Sequence, residues 1–423
     1  MTDDKGRITV LGNGLRVVSE AMPRIETASL GVWIDVGTRH ETAETNGVAH
    51  LLEHMAFKGT ERRTARGIAE EIEDVGGSLN AYTSRDHTAF YARILPDSLP
   101  LAADLLGDIL TASTFDAEEL EKERGVVLQE IGEVEDTPSD WVFDLLQEAA
   151  YPDQPLGRPI LGPEAIVEAM PRDALFAFMG AHYDPRRMIV AASGKVEHEE
   201  VVELARRHFG GLAQRATPDP APGSYAGGSL LVARDLEQVH LCLALDAFGY
   251  EDPDLFALQV FAAALGGGMS SRLFQEAREK RGLCYSVFAF AAQHAGAGTL
   301  GVYAGTGEAE VPELLNVVAA ETQALAAGAN AAELARAKAQ LKAGTLMALE
   351  GCFAVCEDMA RQHLMYGERL SAAEIVRRID AVDESAIARV GRRLLASARP
   401  ALAAVGPQAG LPDPALIERA FGL

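Results

Sequence analysis

The sequence has few of the features that mark secreted, membrane-bound or nucleic-acid-binding proteins. Only four of its 423 residues are cysteine, too few for a disulfide framework, so a reducing compartment is the simplest setting. The chain contains no run of 18 uncharged apolar residues, and its first residues, MTDDKGRITV, lack the basic start and apolar core of a secretion signal. We therefore expect no membrane span and a cytoplasmic location.

Basic residues are outnumbered by acidic ones. The 38 Lys and Arg residues against 62 Asp and Glu residues give a formal net charge of −24. Such a charge repels polyanions, so we expect no nucleic-acid partner. Hydrophobic residues make up 48% of the chain, a proportion typical of a folded globular protein.

The four cysteines have no arrangement that completes a metal site. Cys352 and Cys356 lie four residues apart on a predicted helix and could form half of one, but no second Cys or His pair accompanies them. We predict that all four, including Cys242 and Cys284, are buried structural thiols.

The pattern of apolar residues predicts a mixed α+β fold. Asn13-Gly14 predicts the turn of a hairpin over residues 7–20, because this dipeptide supplies the positive φ angles that a tight turn needs. Strands are predicted at 30–36 and 187–193. Helical periodicity occurs at 46–57, 64–75, 97–113, 117–134, 137–149 and 172–182.

The same order of elements occurs twice along the chain. Residues 169–194 resemble residues 381–406, a shift of 212 residues, and both predict a helix followed by an apolar strand. Residues 115–131 similarly match 330–346, and 29–38 match 239–248. We expect two homologous α/β-sandwich domains, at 1–215 and 230–423. The Pro- and Gly-rich segment 216–229 is the predicted linker.

One short segment carries the pattern of a metal site. In NGVAHLLEHMAFKG, His50, Glu53 and His54 share one face of a predicted helix, because residues three and four apart project together. Two imidazoles at this spacing can bind one zinc ion. The carboxylate beside them is then placed to deprotonate a water that zinc acidifies and to act afterwards as an acid. This is the inverted zinc-protease motif H-x-x-E-H. Histidines without such paired spacing, including His87, His182 and His240, are predicted to be structural.

With this motif the chain resembles the pitrilysin family of metallopeptidases (family M16), in the branch of the mitochondrial processing peptidase and its bacterial relatives. The resemblance extends over essentially the whole chain. In that family a downstream Glu is the third zinc ligand, and the matching residue here is Glu130, 76 residues after His54. Glu123 matches a second family glutamate, which supports the ligands without binding the metal. The resemblance thus implies zinc held by His50, His54 and Glu130, with Glu53 as the general base.

Two further segments agree with the family. Residues 76–94 resemble its edge strand, where the backbone at Asn80, Ala81 and Tyr82 pairs with an extended substrate peptide. The resemblance implies that the Asn80 side chain also binds the substrate backbone near the scissile bond. In the second half, REKRGLCYSV matches a family motif that places Arg278 and Tyr285 at the substrate carbonyl.

The second half of the chain lacks the metal ligands of the first. The stretch that aligns with the zinc motif, residues 256–268, contains no His and no Glu. We therefore expect one zinc ion per chain. The two domains are expected to face each other across a substrate chamber, with Arg278 and Tyr285 contributed by the second.

The sequence predicts a zinc endopeptidase that acts on peptides or on unfolded, presequence-like segments, and two other classes are alternatives. A non-catalytic partner subunit of a processing-peptidase-like complex would have a broken H-x-x-E-H motif, which is intact here. A non-peptidase zinc hydrolase would not need the edge strand or the pair Arg278 and Tyr285. By resemblance, we expect a homodimer or a heterodimer with an inactive homologous subunit.

Overall fold

Two mixed β-sheets carry the fold, one in each of two compact units. The computed structural model describes residues 6–396 and 399–422. The first unit takes the described residues up to Ile131 together with Pro159–Ala221 and Leu346–Ser371. The second unit takes Gly132–Arg158, Pro222–Thr345 and the described residues from Ala372 onward. Each unit therefore contains chain from both halves of the sequence.

The sheet of the first unit has six strands in the order β1-β2-β6-β3-β5-β4, so β4 lies at one edge. Strands β2 and β6 pair in parallel, and the other neighbours are antiparallel. The predicted hairpin turn at Asn13-Gly14 joins β1 to β2, with Gly14 at φ +89°. The strands are β1 Arg7–Val10, β2 Arg16–Ala21, β3 Ala28–Ile34, β4 Ser78–Thr83, β5 Thr88–Ile94 and β6 Met188–Gly194.

Six helices of the first sequence half agree with the predicted periodicity, whereas α6 and α8 were not predicted. All of these helices except α5 contribute buried residues to one large apolar core, which also contains Leu30, Val32 and Ile34 of β3. The helices are α1 Val48–Ala56, α2 Ala65–Glu73, α3 Leu99–Thr111, α4 Ala117–Glu135, α5 Pro138–Ala150, α6 Glu164–Ala169, α7 Arg172–His182 and α8 His198–Phe209.

The second unit repeats the arrangement with five strands in the order β7-β11-β8-β10-β9. Its strands are β7 Gly228–Ala233, β8 Val239–Ala247, β9 Cys284–His294, β10 Ala297–Thr306 and β11 Ala401–Gly406. The helices of this sequence half are α9 Leu255–Gly266, α10 Val311–Ala327, α11 Ala331–Ala348, α12 Cys352–Tyr366, α13 Ala372–Asp380, α14 Glu384–Leu395 and α15 Pro414–Phe421.

The duplication expected from the sequence is present element by element. In both halves a central strand (β3 or β8) is followed by helical structure, a hairpin (β4–β5 or β9–β10), a series of helices and a returning strand. The returning strand pairs with the central strand and with the strand before it, so β6 lies between β2 and β3, and β11 lies between β7 and β8. The segments compared above correspond to α7–β6 and α14–β11, to α4 and α11, and to β3 and β8. The two halves of the sequence therefore share the same order of secondary-structure elements and the same strand pairing.

The two halves exchange one helix each. Helix α12, from the second sequence half, packs on β2, β3 and β6 of the first unit, where Met359 and Cys356 join Val18, Trp33 and Ile189 in a buried cluster. Helix α5, from the first half, packs on β7, β8 and β11 of the second unit. The compact units therefore differ from the sequence division at 1–215 and 230–423 in residues 132–158 and 346–371. Within the expected linker 216–229, strand β7 already begins at Gly228.

Three of the cysteines are buried as predicted, and one is not. Cys242, Cys284 and Cys356 are buried, whereas Cys352 is only partly buried. Cys352 is the first residue of α12, where the helix end leaves part of its surface uncovered. Across the described part of the chain, every helix is too short or too polar to cross a membrane.

We predict that Met359→Ala on α12 lowers the free energy of unfolding of the first unit by about 2–5 kcal/mol, because it leaves a cavity beside Trp33. Trp33 fluorescence during urea unfolding, in a Trp141→Phe background, reports this unit. Met347→Ala is the matched control, since Met347 is 67% exposed and should change stability by less than about 0.5 kcal/mol. Equal effects of the two substitutions would contradict the role given to α12.

Candidate metal centre and active site

Helix α1 carries the H-x-x-E-H residues and is anchored at its start by a buried carboxylate. Glu41 Oε2 accepts a hydrogen bond from Gly47 N (2.9 Å), and Oε1 accepts one from Ala49 N (2.8 Å). Gly47 adopts φ +98°, and a Cβ there would lie 2.7 Å from Leu161 O, so the position requires glycine. A helix of nine residues is marginal alone, so its orientation depends on such anchors.

His50 and His54 face the same carboxylate on α4. Glu130 Oε2 lies 3.7 Å from His50 Nε2 and 3.5 Å from His54 Nε2. Potential ligand atoms of the three residues all lie within 4.8 Å of one another, and this is the one such cluster of His, Cys, Asp or Glu in the described residues. Two imidazoles and one carboxylate are the protein ligands of an open catalytic zinc site. The donor set therefore fits zinc and leaves a coordination position free.

The protonation state of His50 suits metal binding. Burial, helped by the neighbouring His54, lowers its pKa to about 4. The imidazole is therefore neutral near pH 7, as a metal ligand must be. Its buried Nδ1 has no hydrogen-bond partner among the described residues.

Glu53 lies beside the two histidines and is held by the edge strand. Thr83 Oγ1 donates a hydrogen bond to Glu53 Oε2 at 2.6 Å. Burial raises the pKa of Glu53, with a smaller contribution from Glu130, while the Thr83 bond and His54 oppose the rise. A carboxylate with a raised pKa is a better proton acceptor, which suits a general base.

His54 has the hydrogen-bond partner that His50 lacks. Glu123 Oε2 lies 3.1 Å from His54 Nδ1, and Glu123 Oε1 lies 2.7 Å from Lys58 Nζ. The Glu123 side chain is 7% exposed. Sequence reasoning placed Glu123 here by resemblance but missed Lys58, and it also missed Glu41. Lys58 lies beyond the end of α1, and no local spacing in the sequence signals its pairing with Glu123.

Strand β4 is an edge strand, as the sequence predicted, and pairs only with β5 among the described strands. Ala81 packs against the core that contains α1, whereas Tyr82 belongs to the opposite face, where its hydroxyl donates to Glu357 Oε1 (2.7 Å). By the alternation of the strand, Asn80 lies on the same face as Tyr82. Asn80 Oδ1 accepts a hydrogen bond from Ala81 N (2.8 Å). The Asn80 side chain thus lies on the other face of the sheet from Glu53.

The second unit brings Arg278 and Tyr285 together. Arg278 lies in a short π-helical segment, Phe274–Glu279, and Tyr285 lies near the start of edge strand β9. The Arg278 guanidinium stacks 5.0 Å from the centre of the Tyr285 ring and 4.7 Å from that of Phe274. Tyr285 is 75% exposed, which is unusual for a large aromatic residue. Helix α9, the counterpart of α1, has no ionisable residue.

Models of peptidase family M16 match both halves of the chain. The model of the family described as "Insulinase (Peptidase family M16)" matches residues 16–164, and that of "Peptidase M16 inactive domain" matches residues 169–341. The chain belongs to peptidase family M16. The first of these matches contains the H-x-x-E-H motif and Glu130, and the second contains Arg278 and Tyr285.

Several M16 relatives are similar over almost the whole chain. An uncharacterized zinc protease of Streptomyces coelicolor is 40% identical over 95% of this chain and 89% of its own length. One of Mycobacterium tuberculosis is 41% identical over 95% of this chain and 93% of its own. The mitochondrial-processing peptidase subunit beta of Mus musculus is 40% identical over 96% of this chain and 86% of its own.

Solved structures share the fold. A crystal structure of a protease from Helicobacter pylori has a TM-score of 0.88 at 23% identity and covers 96% of this chain and 100% of its own. A chain of complex III2 from Candida albicans has a TM-score of 0.86 at 22% identity and covers 98% of this chain and 99% of its own. The two-domain M16 fold is thus common to this chain and both structures.

A buried histidine beside β4 leads to a prediction of acid sensitivity. His87 Nε2 lies 3.1 Å from Tyr82 Oη, and its Nδ1 lies 3.2 Å from Ser84 Oγ. Burial, and then the positive charge of Arg361, lower the pKa of His87 to about 4, against a smaller opposing effect of Asp86. As the pH falls, the unfolded chain takes up this proton near pH 6.5, whereas the folded chain takes it up only near pH 4. Stability is therefore lost as the pH falls through this window.

We predict that His87→Gln makes the unfolding free energy of the first unit less dependent on pH. Between pH 7 and pH 5 this histidine should account for at most about 2 kcal/mol. Urea unfolding of the metal-free protein, followed by Trp33 fluorescence in a Trp141→Phe background, measures the effect. If the variant lost as much stability as the parent over this range, His87 would have no part in the acid sensitivity.

Proposed function

We propose that the chain is a zinc-dependent endopeptidase. The observation that carries the proposal is the convergence of His50, His54 and Glu130, with Glu53 beside them and hydrogen-bonded to the edge strand through Thr83. These are the ligands and the base that metal-assisted peptide hydrolysis requires. The zinc-protease names of M16 relatives at about 40% identity support the same assignment.

His50, His54 and Glu130 would hold the zinc ion, one per chain. A zinc ion bound there supplies Lewis-acid polarisation of the scissile carbonyl and lowers the pKa of water. Helix α9 of the second unit offers no equivalent ligand, which supports a single ion.

Glu53 moves the proton. Its carboxylate accepts a proton from the attacking water and then donates it to the nitrogen of the leaving amine. The raised pKa of Glu53 favours both steps near neutral pH. The Thr83 hydrogen bond occupies Oε2 and leaves Oε1 for the water.

Substrate binding is proposed to occur along β4. The free main-chain groups of an edge strand can pair with an extended peptide, so recognition depends little on substrate side chains. The main chain of Asn80, Ala81 and Tyr82 would make these contacts. The Asn80 side chain, which lies on the other face of the sheet from Glu53 and accepts a hydrogen bond from Ala81 N, is proposed to bind the substrate backbone from that face.

Arg278 and Tyr285 are proposed to bind the substrate carbonyl from the second unit. A guanidinium and a phenol are hydrogen-bond donors suited to developing negative charge. Stacking of Arg278 on Tyr285 and Phe274 limits the freedom of the guanidinium, and this pre-organisation favours the role.

The substrates are proposed to be peptides or unfolded, presequence-like segments, since backbone pairing along β4 needs an extended chain. The name of the Mus musculus relative, a processing-peptidase subunit, supports the same class. We propose a cytoplasmic location, which the four free thiols suit.

The non-catalytic partner subunit is the alternative, and the site does not favour it. A non-catalytic subunit requires neither three zinc ligands, nor a general base beside them, nor a carboxylate that orients His54. In this chain all of these are present and close together.

We predict that Glu53→Gln preserves zinc binding but lowers the rate of peptide cleavage by about 100- to 10,000-fold, because the amide cannot accept the proton. Metal content by atomic emission and cleavage of a fluorogenic peptide library measure the two quantities. A chelator should abolish cleavage, and added zinc should restore it.

The control for Glu53→Gln is Glu203→Gln, which alters a glutamate whose side chain is 58% exposed on α8 and should leave the rate unchanged. Full activity of Glu53→Gln with one zinc per chain would disprove the proposed mechanism. A parent protein that binds zinc but cleaves no peptide would favour the partner-subunit alternative.

The protein is proposed to act as a homodimer or as a heterodimer with an inactive homologous subunit. The subunit name of the Mus musculus relative and the prevalence of two-fold pairs support pairing. For the homodimer, we predict that light scattering of the purified protein gives twice the mass of the single chain. A monomer that cleaves peptides at full rate would exclude both forms of pairing as a requirement.

A further inference from the structure

The two histidines of the metal centre have unequal surroundings. His54 Nδ1 faces the Glu123 carboxylate at 3.1 Å, whereas the buried Nδ1 of His50 has no partner among the described residues. A hydrogen bond from Nδ1 to a carboxylate fixes the tautomer that leaves Nε2 free for a metal. The orientation of His54 therefore depends on Glu123 in a way that His50 does not.

Glu123 in turn depends on Lys58. The Glu123 side chain is 7% exposed, and a carboxylate so far removed from water is costly unless a positive group compensates it. Lys58 Nζ lies 2.7 Å from Glu123 Oε1, the oxygen that does not face His54. The two oxygens of one carboxylate thus connect the ammonium to the imidazole.

Lys58 differs from the other lysine pairs of the first unit. Lys58 is 30% exposed, whereas Lys195, paired with Glu26, and Lys122, paired with Glu119, are 58% and 63% exposed. Exposed pairs contribute little because water and salt screen them. The Lys58 pair is better shielded, and it lies just beyond the last residue of α1, Ala56.

We propose that Lys58 is a positioning residue of the metal centre. Its ammonium holds Glu123 Oε1, so that Oε2 stays on His54 Nδ1 and His54 Nε2 points at the site shared with Glu130. Lys58 contacts neither metal nor substrate. This inference rests on the metal-binding part of the proposed function and goes beyond it.

Zinc affinity tests the proposal without any measurement of catalysis. The metal-free parent protein, Lys58→Met, Lys58→Gln and Lys58→Arg are titrated with zinc in competition with a chromophoric chelator. We expect Lys58→Met to weaken zinc binding by about 10- to 100-fold, the usual effect of losing a residue that orients a ligand. Lys58→Gln should weaken it by about tenfold or more, while Lys58→Arg, which keeps the charge, should stay within about threefold of the parent.

A double-mutant cycle with Glu123→Gln shows whether Lys58 acts through Glu123. If it does, Lys58→Met should weaken zinc binding in the parent but hardly at all in the Glu123→Gln background. A structural effect of losing the lysine would weaken binding by the same factor in both backgrounds, and that result would overturn the proposal.

Lys195→Met is the matched control, since it breaks an exposed Lys–Glu pair in the same unit and should leave zinc affinity unchanged. Circular dichroism of each metal-free variant shows whether it is folded. If Lys58→Met does not fold, the zinc affinity of Lys58→Gln tests the proposal instead. Parent-like zinc affinity of folded Lys58→Met or Lys58→Gln would overturn the proposal. If the parent itself bound no zinc, the proposed function would fail first, so the two failures are distinguishable.

Discussion

The chemistry of this protein depends on how the nine-residue helix α1 is held. A buried carboxylate, Glu41, accepts hydrogen bonds from its first turn, and the Glu123 carboxylate connects its last histidine to Lys58. A free helix of this length would fray. Fixed in this way, it presents two imidazoles to Glu130 and a carboxylate to β4 with little freedom, which is the pre-organisation that metal-assisted hydrolysis needs.

Local spacing was enough to predict part of the site. His50, Glu53 and His54 were placed on one helix face because helical geometry is a local property, and the structure shows this face turned toward Glu130. The prediction of Glu130 as a ligand depended on the family resemblance, because the composition of its helix, α4, is that of an ordinary charged, solvent-exposed helix. Lys58 was missed because its partner, Glu123, is distant in the sequence. Glu41 was missed although its partners, Gly47 N and Ala49 N, are near, because they are main-chain groups that no side-chain pattern reveals.

The duplication was also visible in the sequence, but the exchange of helices was not. Periodicity predicts that α5 and α12 exist and that each has an apolar face, yet it cannot say which sheet that face covers. The choice depends on packing against β-strands far away in the chain, such as Met359 against Trp33. The partial exposure of Cys352 at the start of α12 was unforeseen because it follows from the same packing.

The exchanged helices interlock the two halves of the chain. Residues 212–227 have no regular secondary structure, and peptide-bond cleavage in such a segment would ordinarily separate two domains. Here each fragment would keep a helix that the other fragment needs to cover its sheet. The two fragments of a cleaved chain would therefore stay associated by fragment complementation. Neither half of the gene could be lost or inherited alone, because the protein fragment encoded by the other half would then have an uncovered apolar surface.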